Sequence, residues 1–484
     1  MPRGTAGRCL AISALLLLGG LRLAGSGPQA AGAERPNFLF LLADDQRGDT
    51  IAALGNQQIS TPSLDRLVRE GMSFTRATCS YPICWVSRSE ILTGQHGWEN
   101  GVTGLGNLNF ADGVSFWPAT FAAAGYATYT VGKWHMRPKP AECGFTGVAG
   151  FYYHGDGKLH PVDQTDDRGV PVTGYRGWMF QSGDGRTRHP DQGVGLTPDI
   201  SAKFADAAIS IIDKAGDQPW LLMVNFTAPH DPLFTPTSTA GKYHADQMQL
   251  PANFLPRHPF DHGNLEGRDE RLMEWPRTPA AVRDVLRLYY AVIDDLDHQV
   301  GRILTRLEET GQRDRTYVIY SSDHGMAVGS HGLRGKQNMY EHTINTPLLI
   351  SGPGIKPGVR TTAQVYLREL YPTTCELAGI AIPEAVTAES FAAVLRGEKQ
   401  THHARIFGYF TGSQRMVRND RWKLIHYPVA KRWQLFDLQA DPHELQNLVD
   451  APEHAAIVAD LQQQLAAWRK LQGDPTLRTD PVAP

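Results

Sequence analysis

Apolar and polar positions along the chain follow two periods, and those periods sort most of it into strands and helices. Asn37–Ala43 (NFLFLLA) is an unbroken apolar run ending in Asp44-Asp45, the pattern of a strand buried on both faces with acids at its carboxyl end. Thr61 and Pro62 then start a helix that runs to about Glu70 and stops at Gly71, with a cap, a first-turn proline and a glycine terminator. Ala127–Val131 and Trp220–Phe226 predict further strands, separated by a helix over Pro198–Ala215. After Thr278-Pro279, apolar residues from Val282 to Leu307 recur at three- and four-residue steps, which predicts one long amphipathic helix over 279–310. Tyr317–Ser321, just ahead of Asp323-His324, and Thr346–Ile350 predict two more strands. Strands alternating with helices specify an α/β protein built on a doubly wound sheet with crossover helices.

The texture changes after about residue 400. Ile406–Tyr409, Gln414–Arg418, Trp422–His426 and Gln434–Leu438 read as short strands joined by turns, followed by a helix over about Ala455–Leu471. These predict a small antiparallel sheet with one packing helix, so the chain divides into 34–400 and a C-terminal α+β subdomain over 401–484. Residues 155–195 are rich in Gly, Asp and Arg without periodicity and read as a long surface insertion. Tyr152, His154 and that insertion are placed to help form a pocket.

The first 33 residues carry Arg3 and Arg8, the apolar run Leu10–Leu21, and a small-residue stretch ending Ala31-Gly32-Ala33. That is the three-part pattern of a cleaved secretory signal, and its apolar run is too short to span a bilayer. The expectation is a secreted or periplasmic protein with no membrane attachment after cleavage. Lys+Arg 47 against Asp+Glu 50 gives a formal charge of -3, which leaves no basic field for nucleic acid. Hydrophobic residues at 41% and charged residues at 20% exclude intrinsic disorder. In an exported chain the default for Cys79, Cys84, Cys143 and Cys375 is disulfide pairing, although four cysteines are too sparse for a disulfide scaffold.

Two acidic pairs stand out. Asp44-Asp45 and Asp323-His324 each close a buried strand, and in open α/β sheets ligands bind at the carboxyl ends of strands. Carboxylates converging there need a cation, and hard oxygen ligands favour Ca²⁺ or Mg²⁺ over zinc. Cys84 falls just ahead of Ser87-Arg88 at the start of a helical stretch. A cysteine in that position sits in an electropositive niche that lowers its thiol pKa; a buried structural cysteine or a Cys79–Cys84 disulfide are the plainer alternatives. Lys133 and His135 follow a predicted strand in a Lys-x-His after glycine, and Pro229-His230-Asp231 and Gly335-Lys336 lie in other loops, where function concentrates.

Six segments in order, NFLFLLADDQ, PICWVSRSEILTG, VGKWHM, APHDP, SSDHGMAVGSHGLRGK and QLFDLQADPHELQNL, resemble the sulfatases of the alkaline phosphatase superfamily. The resemblance runs from about residue 36 to 450. It implies a large doubly wound mixed sheet flanked by helices, alkaline-phosphatase-like, with a smaller C-terminal antiparallel sheet plus helix. It implies that Cys84 is converted by a separate maturation enzyme to formylglycine (3-oxoalanine), the nucleophile and a metal ligand. Asp44, Asp45, Asp323 and His324 then resemble the calcium ligands. Arg88 and Lys133 would hold the hydrated aldehyde, His135 would be its base, and His230 and Lys336 would bind sulfate and assist the leaving oxygen. Position 86 is Val, where the family usually carries Pro or Ala.

The resulting expectation is an exported sulfatase acting on a sulfate ester, with a sulfated carbohydrate as partner. Two alternatives remain at this point. One is a phosphodiesterase or phosphonate monoester hydrolase of the same superfamily. The other is a catalytically silent binder of sulfated glycans, should Cys84 stay a thiol.

Overall fold

The computed structural model describes residues 35–478 apart from 105–107, 156–157 and 160–162. The signal segment expected over 1–33 lies outside the described residues.

Asn37–Ala43 forms β1, buried along its whole length. Phe38, Phe40 and Leu42 enter one apolar cluster with Trp117 and Phe121, whereas Leu39, Leu41 and Ala43 enter another with Phe204 and Val300. Side chains on a strand alternate faces, so an apolar run survives only where both faces are covered. Helices Ile200–Lys214 and Pro279–Glu309 cover one face, and helices Cys84–Thr93 and Leu370–Ala378 the other.

The strands that follow are β2 (Met72–Thr78), β3 (Ala127–Lys133), β4 (Gly147–His154), β5 (Trp178–Gln181) and β6 (Arg188–Val194). Then come β7 (Trp220–Asn225), β8 (Thr316–Ser322), β9 (Asn345–Ser351), β10 (Val359–Thr361) and β11 (Val365–Tyr366). Among the described residues they make one 11-stranded sheet in the order β10-β2-β9-β8-β1-β7-β3-β4-β5-β6, with β11 beside β2. The centre, β8-β1-β7-β3-β4, is parallel. β9 runs antiparallel between β8 and β2, so the sheet is mixed and doubly wound. A second, antiparallel sheet follows the order β12-β13-β14-β15, formed by Ile406–Phe410, Gln414–Arg418, Trp422–Tyr427 and Arg432–Asp437. Leu461 and Leu465 of helix Ala455–Leu471 pack on Val417, Leu424 and Leu435 of that sheet.

Two expectations need correction. The 155–195 insertion is not all loop: β5 extends the large sheet antiparallel to β4, and β6 continues it antiparallel to β5. β6 (RHPDQGV) is exposed or half-buried throughout, so it has no apolar face to give a sequence signal. β2 (MSFTRAT) carries no continuous strand signal, because Thr75 and Arg76 interrupt it where the register against β9 shifts between Phe74 and Ala77, the signature of a bulge. Finally, Cys79, Cys84, Cys143 and Cys375 are buried and free, so neither the default pairing nor a Cys79–Cys84 bridge forms. Cys143 and Cys375 sit in the apolar cluster beside Trp117 as small hydrophobic side chains.

A group of buried histidines packs near the small sheet, where Gln414 donates to the His262 carbonyl. His331 stacks on Tyr340 with ring centroids 3.8 Å apart, and His258 lies 5.2 Å from His262. Burial holds His258 at about 4 and His262 and His331 at about 3, all below the ordinary 6.5. A folded-state pKa depressed in this way favours the neutral ring. Its stabilisation is full above pH 6.5 and is lost as pH falls from there toward 3–4. At pH 5 each such histidine removes up to about 2 kcal/mol. The urea midpoint should therefore fall markedly between pH 7 and pH 5, and less so for His258→Gln. A flat midpoint over that range would contradict this account.

Candidate active site

Parallel strands open their carboxyl ends on one edge, so residues that end neighbouring strands converge there. Asp44 and Asp45 follow β1, Asp323 and His324 follow β8, Lys133 ends β3 and Asn225 ends β7. Helix Cys84–Thr93 begins at the same place, with Ile83 as its extended N-cap. All ten residues singled out in the sequence lie here: Asp44, Asp45, Cys84, Arg88, Lys133, His135, His230, Asp323, His324 and Lys336.

Lys133 Nζ donates to Asp44 Oδ2 at 2.6 Å, and the Tyr175 hydroxyl donates to the same oxygen. Lys336 Nζ bridges both oxygens of Asp45 at 2.8 and 2.9 Å and lies 3.5 Å from Cys84 Sγ. Arg88 donates through Nε to Asp323 Oδ2 at 2.9 Å and through Nη1 to Asn225 Oδ1 at 3.2 Å. Ser87 Oγ donates to the Asp323 carbonyl at 2.7 Å, which ties the first turn of the Cys84 helix to the end of β8. His230 Nδ1 lies 2.6 Å from the Asp231 carbonyl, and its Nε2 is 3.8 Å from Asp45 Oδ2. His135 is gripped edge-to-face by Trp85 and Trp178, with ring centroids 5.4 and 5.2 Å away.

The charges set the chemistry. Burial would raise the Cys84 thiol pKa, but Lys133, Lys336 and His324 outweigh it and hold the thiol well below its usual value. Burial also raises Asp44, yet Lys133, His230 and Arg88 keep it below the ordinary carboxylate range. Burial lowers His135 to about 4, so its ring is neutral and able to accept a proton near neutral pH. His230 moves the other way: burial and Lys336 oppose its charging, but Asp45, Asp231 and Asp44 prevail and raise it.

Asp44, Asp45, Cys84 and His324 place one ligand atom each within 4.8 Å of one another. Asp44 Oδ1 and His324 Nε2 are buried and lack any hydrogen-bond partner. An unsatisfied buried carboxylate oxygen is costly, and a cation held beside it removes that cost, so these donors fit a metal ion. Asp323 stands slightly apart from this group, because Oδ1 accepts the Asp45 and His324 amides at 3.2 and 3.0 Å while Oδ2 accepts Arg88.

The Sulfatase family model matches residues 36–380. The chain belongs to the sulfatase family. It is therefore a sulfuric ester hydrolase of the alkaline phosphatase superfamily, and that family implies formylglycine and a divalent metal. A second family model, N-sulphoglucosamine sulphohydrolase, C-terminal, matches residues 329–471. An arylsulfatase of Clostridium perfringens is 28% identical over 91% of this chain and 95% of its own length. An N-acetylglucosamine-6-O-sulfatase of Bacteroides thetaiotaomicron is 26% identical over 95% of this chain and 91% of its own. A structure solved in complex with its substrate D-glucosamine-2-N,6-O-disulfate aligns at a TM-score of 0.71, with 24% identity over 91% of this chain and 98% of that one. The phosphonate monoester hydrolase of Agrobacterium radiobacter aligns at 0.71 as well, with 20% identity over 90% and 96% of the two chains. These two structural likenesses establish the fold.

In this sulfatase a cavity of about 400 Å³ opens above Cys84, with Trp85, Tyr175, Trp178 and Phe410 as aromatic walls and Asn264, Arg268, Asp269 and Gln337 as polar ones. Several of these the sequence did not flag. Tyr175 belongs to the 155–195 insertion; its φ of 56° puts a bulky residue in left-handed backbone, held by the Asp44 contact and an edge contact on His230 at 4.8 Å. Asn225 had a visible signal, a polar residue closing the apolar run WLLMVN. Of the two aromatic positions expected near the pocket, Tyr152 is buried in the core against Trp178, Phe180 and Phe204. His154 is exposed and touches the Tyr153 ring.

Proposed function

We propose that the protein is an exported, calcium-dependent sulfatase that cleaves sulfate esters of carbohydrates, with formylglycine made from Cys84 as its nucleophile. The observation that carries this is the meeting of Cys84 with Lys133, His135, Lys336 and the Asp44-Asp45 pair at the floor of one open cavity. Relatives named as N-acetylglucosamine-6-O-sulfatase and ulvan-active sulfatase support a sugar sulfate as substrate. The oxygen-rich donors Asp44, Asp45 and Asp323 support Ca²⁺, which favours carboxylate oxygens. Held there, a formylglycine at position 84 and a cation among Asp44, Asp45 and His324 would supply an oxygen nucleophile for sulfur and a Lewis acid.

The chain's own residues do the rest. Arg88, held by Asp323 and Asn225, and Lys133, held by Asp44, would keep the residue-84 side in place, and Lys336 on the cavity wall would face the sulfuryl oxygens, whose charge must be held through the transition state. The neutral His135 ring accepts a proton on the residue-84 side. His230, with its pKa raised, donates a proton to the alcohol oxygen as its bond to sulfur breaks.

His230→Ala should therefore slow a sugar sulfate by on the order of 10²–10⁴-fold, the usual range of general acid assistance. An activated aryl sulfate, whose alcohol leaves without a proton, should lose much less. Equal losses on both would reduce His230 to a sulfate-binding residue. The reaction class is tested by parallel turnover of aryl sulfate, aryl phosphate diester and aryl phosphonate, followed by a panel of sulfated mono-, oligo- and polysaccharides. Faster turnover of the phosphorus esters would replace the sulfatase reading with that of a phosphonate or phosphodiester hydrolase.

A further inference from the structure

We propose that Glu369, His402 and His403 form a second metal site, selective for zinc, that pins the segment leading into the small sheet to the start of helix Leu370–Ala378. Nothing in the sulfatase chemistry uses these residues. Each offers one ligand atom, and the three atoms lie within 4.8 Å of one another.

The local fold presents them to one another. Glu369 immediately precedes helix Leu370–Ala378, and its Oε2 accepts the Tyr366 amide at 2.8 Å, which fixes the carboxylate's orientation. His402 and His403 precede β12. The His403 amide donates to the Gln364 carbonyl at 3.2 Å, and the Gln364 side-chain amide returns to the His403 carbonyl at 3.2 Å. Both imidazoles are thus held over one carboxylate, with His403 Nε2 against Oε1 and His402 Nε2 3.3 Å from Oε2.

The His402 contact is the informative one. Its side chain is only 7% exposed, yet Nε2 has no hydrogen-bond partner although it faces a carboxylate oxygen. Two donors bound at about 2.0–2.1 Å to one tetrahedral zinc stand about 3.3 Å apart, which is the separation seen. Two imidazoles and one carboxylate are a zinc donor set that leaves a fourth position for water, and calcium, which prefers oxygen, is a poor match. The aromatic rings of Phe391 and Tyr366 lie beside His402 and His403 at 6.1 and 5.4 Å, so the site has an apolar wall. His403 is 22% exposed and gives the ion an entry path.

The test uses the full chain in a Cys84→Ala background, so that no active-site thiol competes, with calcium in excess to fill the oxygen-rich site. After zinc loading and dialysis, metal analysis should show one retained zinc, and cobalt loading should give the visible absorption of a tetrahedral ion. His402→Gln/His403→Gln, which keeps amide donors facing Glu369, should lose both signals. Zinc affinity should fall by more than the roughly 10–100-fold that changing a group behind a ligand costs. Zinc should raise the melting temperature of the Cys84→Ala parent but not of the variant. Equal zinc retention by parent and variant, or none by either, overturns the proposal and leaves a hydrogen-bonded clamp. Should circular dichroism show the double variant unfolded, Glu369→Gln decides in the same assay, because its amide oxygen still accepts the Tyr366 amide.

Discussion

Cys84→Ala should lower kcat/KM on an aryl sulfate by at least about 10⁵-fold while leaving the fold intact. The size follows from losing the nucleophile itself, since removing the nucleophile of a protease triad costs about 10⁶ in kcat. The fold should survive because Cys84 begins its helix and its thiol meets other site side chains, such as Lys336 at 3.5 Å, rather than the core, and alanine is a good helix former. Cys84→Ser tests the same point differently: it restores an oxygen but not an aldehyde hydrate, so it should remain nearly as slow as the alanine variant. Co-expression of the wild type with a maturation enzyme should yield a Cys84 peptide lighter by roughly 18 Da, the change from CH₂–SH to CHO. Val86 is fully buried in the folded chain against Ile83 and Tyr81, so any influence it has on maturation must be exerted before the helix packs. A wild-type protein with full sulfatase turnover and an intact Cys84 thiol would refute the nucleophile assignment.

The residues that end strands were the most legible part of this protein. Charges stopping an apolar run, as in NFLFLLADD and TYVIYSSDH, are visible locally, and strand parallelism brings them together without further information. His135 had a weaker signal, the Lys-x-His after glycine at a strand end, whereas His230 and Lys336 lie in loops where only the family resemblance distinguishes them from ordinary surface residues. Tyr175 and Arg268 could not be read at all. Tyr175 joins the site through contacts with Asp44 and His230 that are 131 and 55 positions away in sequence, and Arg268 lies on the cavity wall, where it pairs with Asp231 and Asp269. The small sheet misled in another way. β13 (QRMVR) looks half solvent-facing, yet all five residues are buried. Arg415 pairs with Asp474 at 2.7 Å and Arg418 with Glu341 at 2.7 Å. A charged strand can be buried only when its partners arrive from distant segments, and periodicity carries no trace of those partners.

Asp45→Ala should remove both the bound cation and at least about 10³-fold of activity, because a metal polarising the reacting oxygens contributes several kcal/mol to the transition state. The same substitution strands the buried Lys336 ammonium, which holds both Asp45 oxygens, and breaking one side of a buried pair costs about 3–5 kcal/mol. Activity alone would therefore not separate metal loss from local collapse. Asp45→Asn makes that separation. Asp45 has a φ of 71°, a left-handed conformation that asparagine tolerates and most other residues do not, and its amide oxygen can still accept from Lys336 and still ligate. The asparagine variant should keep the wild-type circular dichroism and melt close to the wild type in chelator, yet respond less to added calcium and need more of it for activity. Asp323→Asn should affect calcium less than Asp45→Asn, since Asp323 is occupied by Arg88 and two backbone amides. Should Asp45→Ala bind calcium normally and turn over near the wild-type rate, the cation does not sit at the end of β1, and Asp45 serves only to hold Lys336 against Cys84.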